Sequence, residues 1–569
     1  MMKLFRWTLR LVSLVLLASA AWYWLHGPTI TPGSYLVMDL GGRLSEARPG
    51  GLLERVMQRG RTMSALTDTL RKVRYDGRLA GVIVRIDKLD GGWAQAHEIR
   101  NALSLVKTRG KRVVAEIELE MEPANKEIYI ASVADEVYVA PASAPLLTGL
   151  QAHAMFLGGV WPKIDVTMQV EKIREYKSAG DEIGGEAMTP AHREMLDSIL
   201  DDIHTQLVQT VSAARNLSAA EFEQTLRQGI TRPIEFVKAG IANAVRGHIE
   251  VRERLGDGTS VTIVSEQDYE RVSQSSLGIG DGPVIAVVHA SGAVTTGKNP
   301  RGGDGIGSRT ISKALESAAN NSDVSAIVVR INSPGGSPAA SDEIWLAMRG
   351  AAQKKPVIAS LGDVAASGGY YFASAADRIV AAPGTLTGSI GVVFFKPDVA
   401  ALLTRMGIHT EALRRGDLSG LFDLDKSLSE QELVLVRSQL DDVYRLFLER
   451  VAAGRKKTPE EIDRVGGGRV WTGHQAFERG LVDELGTLDD AVQAAANAAG
   501  IHDADKVTLS HYPRAEGMAA QLEQIGAGVA MSMLPESAAR IVEQLGGSAQ
   551  LLTLKPGVQA VANGLPVVE

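Results

Sequence analysis

In the ten residues Gly362-Asp-Val-Ala-Ala-Ser-Gly-Gly-Tyr-Tyr371, one serine, Ser367, stands between two alanines and two glycines. Neighbours this small let another backbone come close to its hydroxyl. Such a stretch is either a tightly packed turn into a helix or the seat of a nucleophile. A serine hydroxyl is weakly nucleophilic and needs a base to take its proton. The chain has 11 histidines, but His289, His409 and His474 follow no triad order, and no Gly-x-Ser-x-Gly elbow surrounds a serine. These histidines read as structural or surface residues. A buried lysine can serve instead, because desolvation disfavours its ammonium form and lowers its pKa. A third feature is Asn332-Ser-Pro-Gly-Gly-Ser337. A strand that stops at Pro-Gly-Gly and feeds a helix leaves backbone N–H groups pointing outward, as an ordinary turn or as an anion or oxyanion site.

The elements that must position these residues occur twice. Gly81-Val-Ile-Val-Arg-Ile86 matches Ala326-Ile-Val-Val-Arg-Ile331, and Arg85 and Arg330 are separated by 330 − 85 = 245 positions. Glu98-Ile99 and Glu343-Ile344 keep that offset. It drifts by a few residues at Ala134/Ala376, Thr148/Thr387 and Gly240/Gly480, as loop insertions would cause. Apolar runs at Tyr35–Leu40, Leu79–Ile86, Arg112–Ile117 and Glu136–Ala140 alternate with helical patterns near Leu53–Val73, Trp93–Thr108 and Lys126–Ala134. That alternation predicts an α/β fold with a mainly parallel sheet, built in two tandem copies. A Gly-, Ser-, Asp- and Gln-rich linker is expected near Gly256–Gly282. Long helices over Pro190–Arg215 and Ser429–Ala453 are expected to pack against a sheet or a neighbouring subunit.

Where the copies differ, chemistry can reside. The counterpart of Ser367 in the first copy is Asn125, and that of Asn332–Ser337 is Asp87-Lys-Leu-Asp-Gly-Gly92. Conversely, Arg174-Glu-Tyr-Lys-Ser-Ala-Gly180 of the first copy contains Lys177, while the second copy's Arg415-Gly-Asp-Leu-Ser-Gly420 has no lysine near Leu418. One copy can therefore supply the serine and the other its base.

The 569 residues bound two to four domains, and a net charge of −7 with both signs interspersed gives no case for nucleic-acid binding. The absence of cysteine excludes disulfides, thiolate metal sites and a cysteine nucleophile. Lys3, Arg6 and Arg10 precede an apolar run over Leu11–Leu25 that ends in Trp22-Tyr-Trp24. This predicts an uncleaved membrane anchor over residues 1–27, the amino terminus cytoplasmic and the body outside; Ala18-Ser-Ala20 would suit a cleaved signal peptide. The expected domains are residues 28–275, residues 276–500 and a tail of residues 501–569. Short helices are expected in that tail near 518–525 and 538–545, and no chemistry.

The motifs Tyr176-Lys-Ser-Ala179, Asn332–Ser337, Gly362–Tyr370 and Thr385-Leu-Thr-Gly-Ser-Ile-Gly391, in this order, resemble the signal peptide peptidase A, or protease IV, family in its long double-domain form. The resemblance implies two tandem Clp/crotonase-like α/β domains forming a membrane-anchored Ser–Lys peptidase. In it Ser367 is the nucleophile, Lys177 the base and Ser389 the serine that positions the lysine. Gly368, with Gly335 or Gly336, forms the oxyanion hole. It also implies cleaved signal peptides and other extended apolar peptides as substrates, a homotetrameric bowl, an extracytoplasmic active site at the inner membrane, and no cofactor or metal. Gly180-Asp-Glu-Ile-Gly-Gly185 is more acidic and glycine-rich than the family pattern. An acyl-CoA enzyme on the same scaffold, or an inert membrane-anchored scaffold, are the competing expectations; the scaffold predicts an exposed Lys177 lying beyond about 8 Å from Ser367, out of direct proton-transfer reach.

Overall fold

The computed structural model describes residues 28–46, 61–300, 305–513, 557–561 and 567–568, the last two as backbone strands. The anchor expected over residues 1–27 and the helices expected near 518–525 and 538–545 lie outside the described residues. Among the described residues, no helix is long and apolar enough to cross a membrane.

The first repeat contains β1 (Ser34–Gly42), α1 (Met63–Tyr75), β2 (Leu79–Leu89), α2 (Trp93–Thr108), β3 (Arg112–Ile117), α3 (Asn125–Ala131), β4 (Glu136–Val139), β5 (Ala152–His153) and β6 (Thr167–Lys172). It continues with α4 (Ser178–Gly184), α5 (Pro190–Arg215), β7 (Ala244–Val245) and β8 (Ile263–Ser265). Its sheet runs β7-β4-β3-β2-β1-β8, with every pairing parallel. Parallel strands covered on both faces need continuous apolar runs; on β2, Val82, Ile83, Val84 and Ile86 are all buried. The segment expected as a linker instead supplies β8, because Ile263 and Val264 lie partly buried at the edge of this sheet beside the buried Tyr269.

The second repeat repeats the scheme with β9 (Val284–Ser291), β10 (Val294–Thr295), β11 (Ile306–Gly307), α6 (Ser308–Asn320), β12 (Val324–Ser333), β13 (Gly335–Gly336), α7 (Pro338–Ala352) and β14 (Val357–Ala366). There follow α8 (Gly368–Ala373), β15 (Arg378–Ala381), β16 (Leu386–Gly388), β17 (Val393–Asp398), α9 (Glu430–Arg455), β18 (Val470–Thr472), β19 (Glu484–Leu485), α10 (Leu488–Ala498) and β20 (Thr508–Tyr512). The main path is β18-β16-β14-β12-β9-β20, and β15 branches from β14 to β19. β20 lies within residues 501–569, expected as a tail. It belongs to this sheet, pairing parallel with β9 from Thr508 to Tyr512, because Tyr512 is buried in the second core.

A third sheet joins the repeats in the order β11-β10-β13-β21-β17-β6, where β21 is Gly557–Val561. A last strand, β22 (Val567–Val568), pairs antiparallel with β5. The antiparallel ladder from β6 to β17 runs from Lys172↔Val393 to Thr167↔Asp398. It lays a first-repeat strand on the second repeat just before Lys177. Both long helices bury one apolar stripe: Met195, Ile199, Ile203, Leu207 and Val211 on α5, and Val436, Leu440, Tyr444, Phe447 and Val451 on α9. α5 also bonds to the other repeat, where its Asp202 carboxylate lies 2.8 Å from His474 Nδ1.

Candidate active site

Ser367 sits where β14 ends and α8 begins. Its backbone has φ 54° and ψ −117°, a conformation that costs a non-glycine residue about 1–3 kcal/mol and persists only when its surroundings fix it. Two backbone bonds do so: Ser367 N–H donates to Gly388 O (2.8 Å), and Tyr371 N–H donates to Ser367 O (2.8 Å). The following glycines are sterically required. A Cβ on Gly368 would lie 2.6 Å from Ser341 Oγ and 3.1 Å from Gly336 N, and one on Gly369 would lie 2.7 Å from Ser333 O. The small neighbours thus serve close packing of the serine turn onto β13, as the packed-turn reading of the sequence expects.

Lys177 arrives from the other repeat. β6 pairs with β17, Ile173 N–H donates to Val392 O (3.2 Å), and Tyr176 N–H donates to Gly467 O (3.3 Å). Lys177 is 1% exposed and Ser367 0%, so the pair lies out of bulk water. Lys177 Nζ is 2.8 Å from Ser367 Oγ, 3.0 Å from Ser389 Oγ and 3.0 Å from Ser389 O. Burial pushes the lysine pKa well below its ordinary value. A neutral amine has two N–H donors and one lone pair. Its donors suit the two Ser389 oxygens, and its lone pair is left for the Ser367 hydroxyl proton. Ser389 is itself held at φ 49°, its N–H donating to Arg469 O (2.7 Å).

The Pro-Gly-Gly turn lies beside the serine. Gly335 N–H donates to Ser333 Oγ (3.1 Å). β10 pairs parallel with β13 at Val294↔Gly336 and takes the N–H of Ser337 on Val294 O (2.9 Å). Alternation along a strand then turns the Gly336 N–H and C=O to the opposite side, toward β21. Gly336 rather than Gly335 therefore turns its N–H away from β10, to the edge of β13 that pairs with β21. A Cβ on Gly336 would lie 2.1 Å from Val294 O.

The structure thus brings together Ser367, Lys177, Ser389, Gly368, Gly335 and Gly336. The three histidines lie in other bonds or in solvent: His289 Nε2 faces His511 Nδ1 (2.9 Å), His474 binds Asp202, and His409 is exposed. Among the described residues no cluster suited to a metal ion occurs. A buried Lys177 at 2.8 Å from Ser367 is the opposite of what an inert scaffold predicts. In the acidic stretch after the lysine, Asp181 forms a 2.5 Å ion pair with Lys172, and burial pushes Glu182 up to about 7.

Sequence reasoning missed Gly468. At φ 86° it lies so close to the lysine that a Cβ would sit 2.5 Å from Lys177 N and 2.7 Å from its Cα. The run Gly466-Gly-Gly468 was the available signal. Ser333, which takes up the Gly335 N–H, was also missed, having no local signal beyond its place before Pro334.

The pattern of peptidase family S49 matches residues 106–247 and 349–502. The chain is 34% identical over 546 residues to the chloroplastic serine protease SPPA of Arabidopsis thaliana, covering 94% of this chain and 78% of that protein. It is 30% identical over 488 residues to Protease 4 of Salmonella typhi, covering 83% and 77%. Similarity to Protease 4 of Haemophilus influenzae is 28% over 448 residues, covering 75% and 71%. Among solved structures, the ClpP1 N165D mutant from Listeria monocytogenes aligns with a TM-score of 0.25 and 17% identity, over 36% of this chain and 93% of that one.

Proposed function

Because the chain belongs to peptidase family S49 and is a serine peptidase, we propose that it cleaves peptides with a Ser367–Lys177 dyad whose two halves come from different repeats. The observation that carries this reading is the 2.8 Å approach of Lys177 Nζ to Ser367 Oγ inside a buried site. Neutral Lys177 accepts the hydroxyl proton as Ser367 Oγ attacks the peptide carbonyl. Gly368 and Gly336 donate backbone N–H groups to the developing oxyanion. Lysine then protonates the leaving amine, and it activates the water that hydrolyses the acyl-enzyme. Ser389 holds the lysine by accepting its two donors.

The substrates proposed are extended, apolar peptides, cleaved signal peptides among them. Burial of the dyad and the apolar anchor sequence before Gly27 both favour such substrates. The anchor would hold the body on the extracytoplasmic side of the inner membrane, and assembly as a homotetramer is part of the same proposal. The test is cleavage of a fluorogenic signal-peptide substrate by Ser367→Ala and Lys177→Ala. Each is expected to lose about 10³-fold or more in kcat/KM with an unchanged circular dichroism spectrum. Full activity in either variant would sink the dyad.

A further inference from the structure

The dyad is framed by a segment that takes no part in the proposed chemistry. Gly467 O accepts the Tyr176 N–H (3.3 Å), Gly468 N–H donates to Ile390 O (2.8 Å), and Arg469 O accepts the Ser389 N–H (2.7 Å). This backbone thus bonds both the residue before Lys177 and the turn that carries Ser389. Gly466-Gly-Gly468 has more conformational freedom to lose than any other three residues would, and Gly467 and Gly468 are held at φ 63° and 86°. Contacts outside the glycines must fix the run. At its base, Trp471 Nε1 donates to Val465 O (2.9 Å). At its end, Arg469 fastens it to the first repeat. The Arg469 guanidinium carbon lies 4.7 Å from the centre of the Tyr176 ring and 4.3 Å from the Trp471 ring. Both of its terminal nitrogens bond the carboxylate of Glu194 on α5, Nη2 at 2.8 Å. With the side chain only 12% exposed, a two-pronged ion pair and two aromatic rings hold this planar group in place of water. Tyr176 is the chain neighbour of Lys177, so one residue leans on the lysine's segment and holds the Ser389 turn by its carbonyl.

We propose that Arg469 is a positioning residue for the reaction: anchored on Glu194 and Tyr176 of the first repeat, it fixes Gly466–Gly468 against Lys177 and holds Ser389 where the lysine amine bridges it to Ser367. This rests on the dyad reading above. The bonds of Arg469 go to Glu194, Ser389 and Gly466 rather than to Ser367 or the lysine amine, so it acts through the backbone it anchors. Lysine is no substitute for it, because an ammonium offers neither a planar fork to the carboxylate nor a flat face to the rings. Loosening the segment has two consequences. The reach from Nζ to Oγ is no longer fixed, and water gains access to the amine. Burial alone depresses the Lys177 pKa, so hydration returns it toward its ordinary value.

The test measures Arg469→Met, Arg469→Lys and Glu194→Gln in the full chain over a pH series with the fluorogenic signal-peptide substrate. Arg469→Met should lower kcat about 10- to 100-fold, the effect of displacing a base on the ångström scale, with KM within about twofold of wild type. Its acid limb of kcat/KM should move up by about one pH unit as the lysine hydrates. Arg469→Lys should follow Arg469→Met rather than wild type. Glu194 is exposed, so Glu194→Gln leaves the fold intact; it should lower kcat about threefold and shift the acid limb in the same direction. Added to Arg469→Met it should cost nothing further, since it acts only through that arginine. An acid limb that stays at the wild-type pH in Arg469→Met and Glu194→Gln, whatever happens to kcat or Tm, would overturn the inference and leave Arg469 a purely structural contact. Should Arg469→Met fail to fold, the acid limb of Glu194→Gln decides alone. Ser367→Ala and Lys177→Ala run alongside: activity in either removes the dyad and this inference with it, whereas their inactivity with an unmoved limb in Glu194→Gln removes only the role of Arg469.

Discussion

Both repeats carry a strand that runs into a glycine turn and then a helix, and the two turns hold different things. In the first repeat the N–H groups of Gly92 and Gln95 at the start of α2 both donate to the carboxylate of Asp363, at 2.9 Å each. In the second repeat the Gly335 N–H is taken by Ser333 and that of Gly336 faces a peptide strand. One turn is filled by a carboxylate from the other repeat; the other meets a backbone strand. The nucleophile position differs in parallel. Asn125 donates to Gly149 O (3.0 Å), a structural bond, where Ser367 meets a lysine. The first repeat's turn joins the two copies through a carboxylate, and the second repeat's turn is bonded by Ser333 and a backbone strand.

The largest effect expected tests whether that division can be reversed. Adding Asn125→Ser to Ser367→Ala puts a serine into the first repeat, where the neighbouring Lys126 is held on Gly91 O and the second repeat offers no counterpart of Lys177. Activity should stay about 10³-fold or more below wild type, measured by release of the fluorogenic product. Recovery to within tenfold would mean that the first repeat retains a working site. Next in size is the pH profile. Lys177 must be neutral to accept a proton, and burial sets its pKa well below the ordinary value. Below that lowered pKa, kcat/KM should fall about tenfold per pH unit as the ammonium forms. Between the folded and unfolded pKa values the unfolded chain binds the extra proton, so stability should rise with pH across that window. Lys177→Met should abolish that rise in a pH series of urea melts.

The α/β class, the duplication and the serine were legible because each leaves a local mark: Val/Ile runs, a constant offset between arginines, one serine among small residues. Lys177 was legible only by contrast, since nothing within Arg174–Gly180 reveals that β6 will lie on β17. Gly468 and Ser333 act through backbone approaches set by packing between segments hundreds of residues apart, which leave no periodic signal. The strands β20 and β21 in the stretch expected as a tail leave no signal of their own in the sequence, because short strands of ordinary composition are fixed only by what they pair with. The split between Gly335 and Gly336 likewise needed the register against β10.

The paired arginines sharpen the comparison further. Arg330, 2% exposed, bonds Glu46 (2.9 Å) and Glu98 (2.7 Å), both first-repeat residues. Against the cost of burial, these carboxylates hold its pKa above the ordinary value, and burial pushes Glu98 up to about 7. Its counterpart Arg85 stays within its own repeat and is 28% exposed, 3.3 Å from Glu116, which also holds His248. Arg330→Leu should cost about 3–5 kcal/mol, because it leaves buried carboxylates without a partner. Arg85→Leu should cost less than about 1 kcal/mol. Urea unfolding checks both, and equal losses would mean that the contact between repeats adds nothing beyond what each repeat supplies itself.

The smallest effect concerns the carboxylate that fills the first repeat's turn. α2 begins at Gly92, which has no side chain with which to cap it, so Asp363 serves as a cap delivered from the other repeat. A Cβ on Gly92 would lie 2.5 Å from its Oδ1, so the residue at this position must be glycine for the carboxylate to enter. By contrast α7 is capped locally, Ser337 Oγ accepting from Ala340 N–H (3.4 Å). Losing a capping side chain costs about 0.5–2 kcal/mol. Asp363→Ala should therefore cost about 1–2 kcal/mol and speed amide exchange in the first turn of α2, while Ser337→Ala should affect only α7. Because Asp363 lies on the strand that leads into Ser367, four residues before it, its loss should also lower kcat by a few fold without changing the pH profile set by Lys177. A change in the profile itself would mean that Asp363 acts on the dyad through its charge, and that the two turns are coupled electrically as well as through the shared strand.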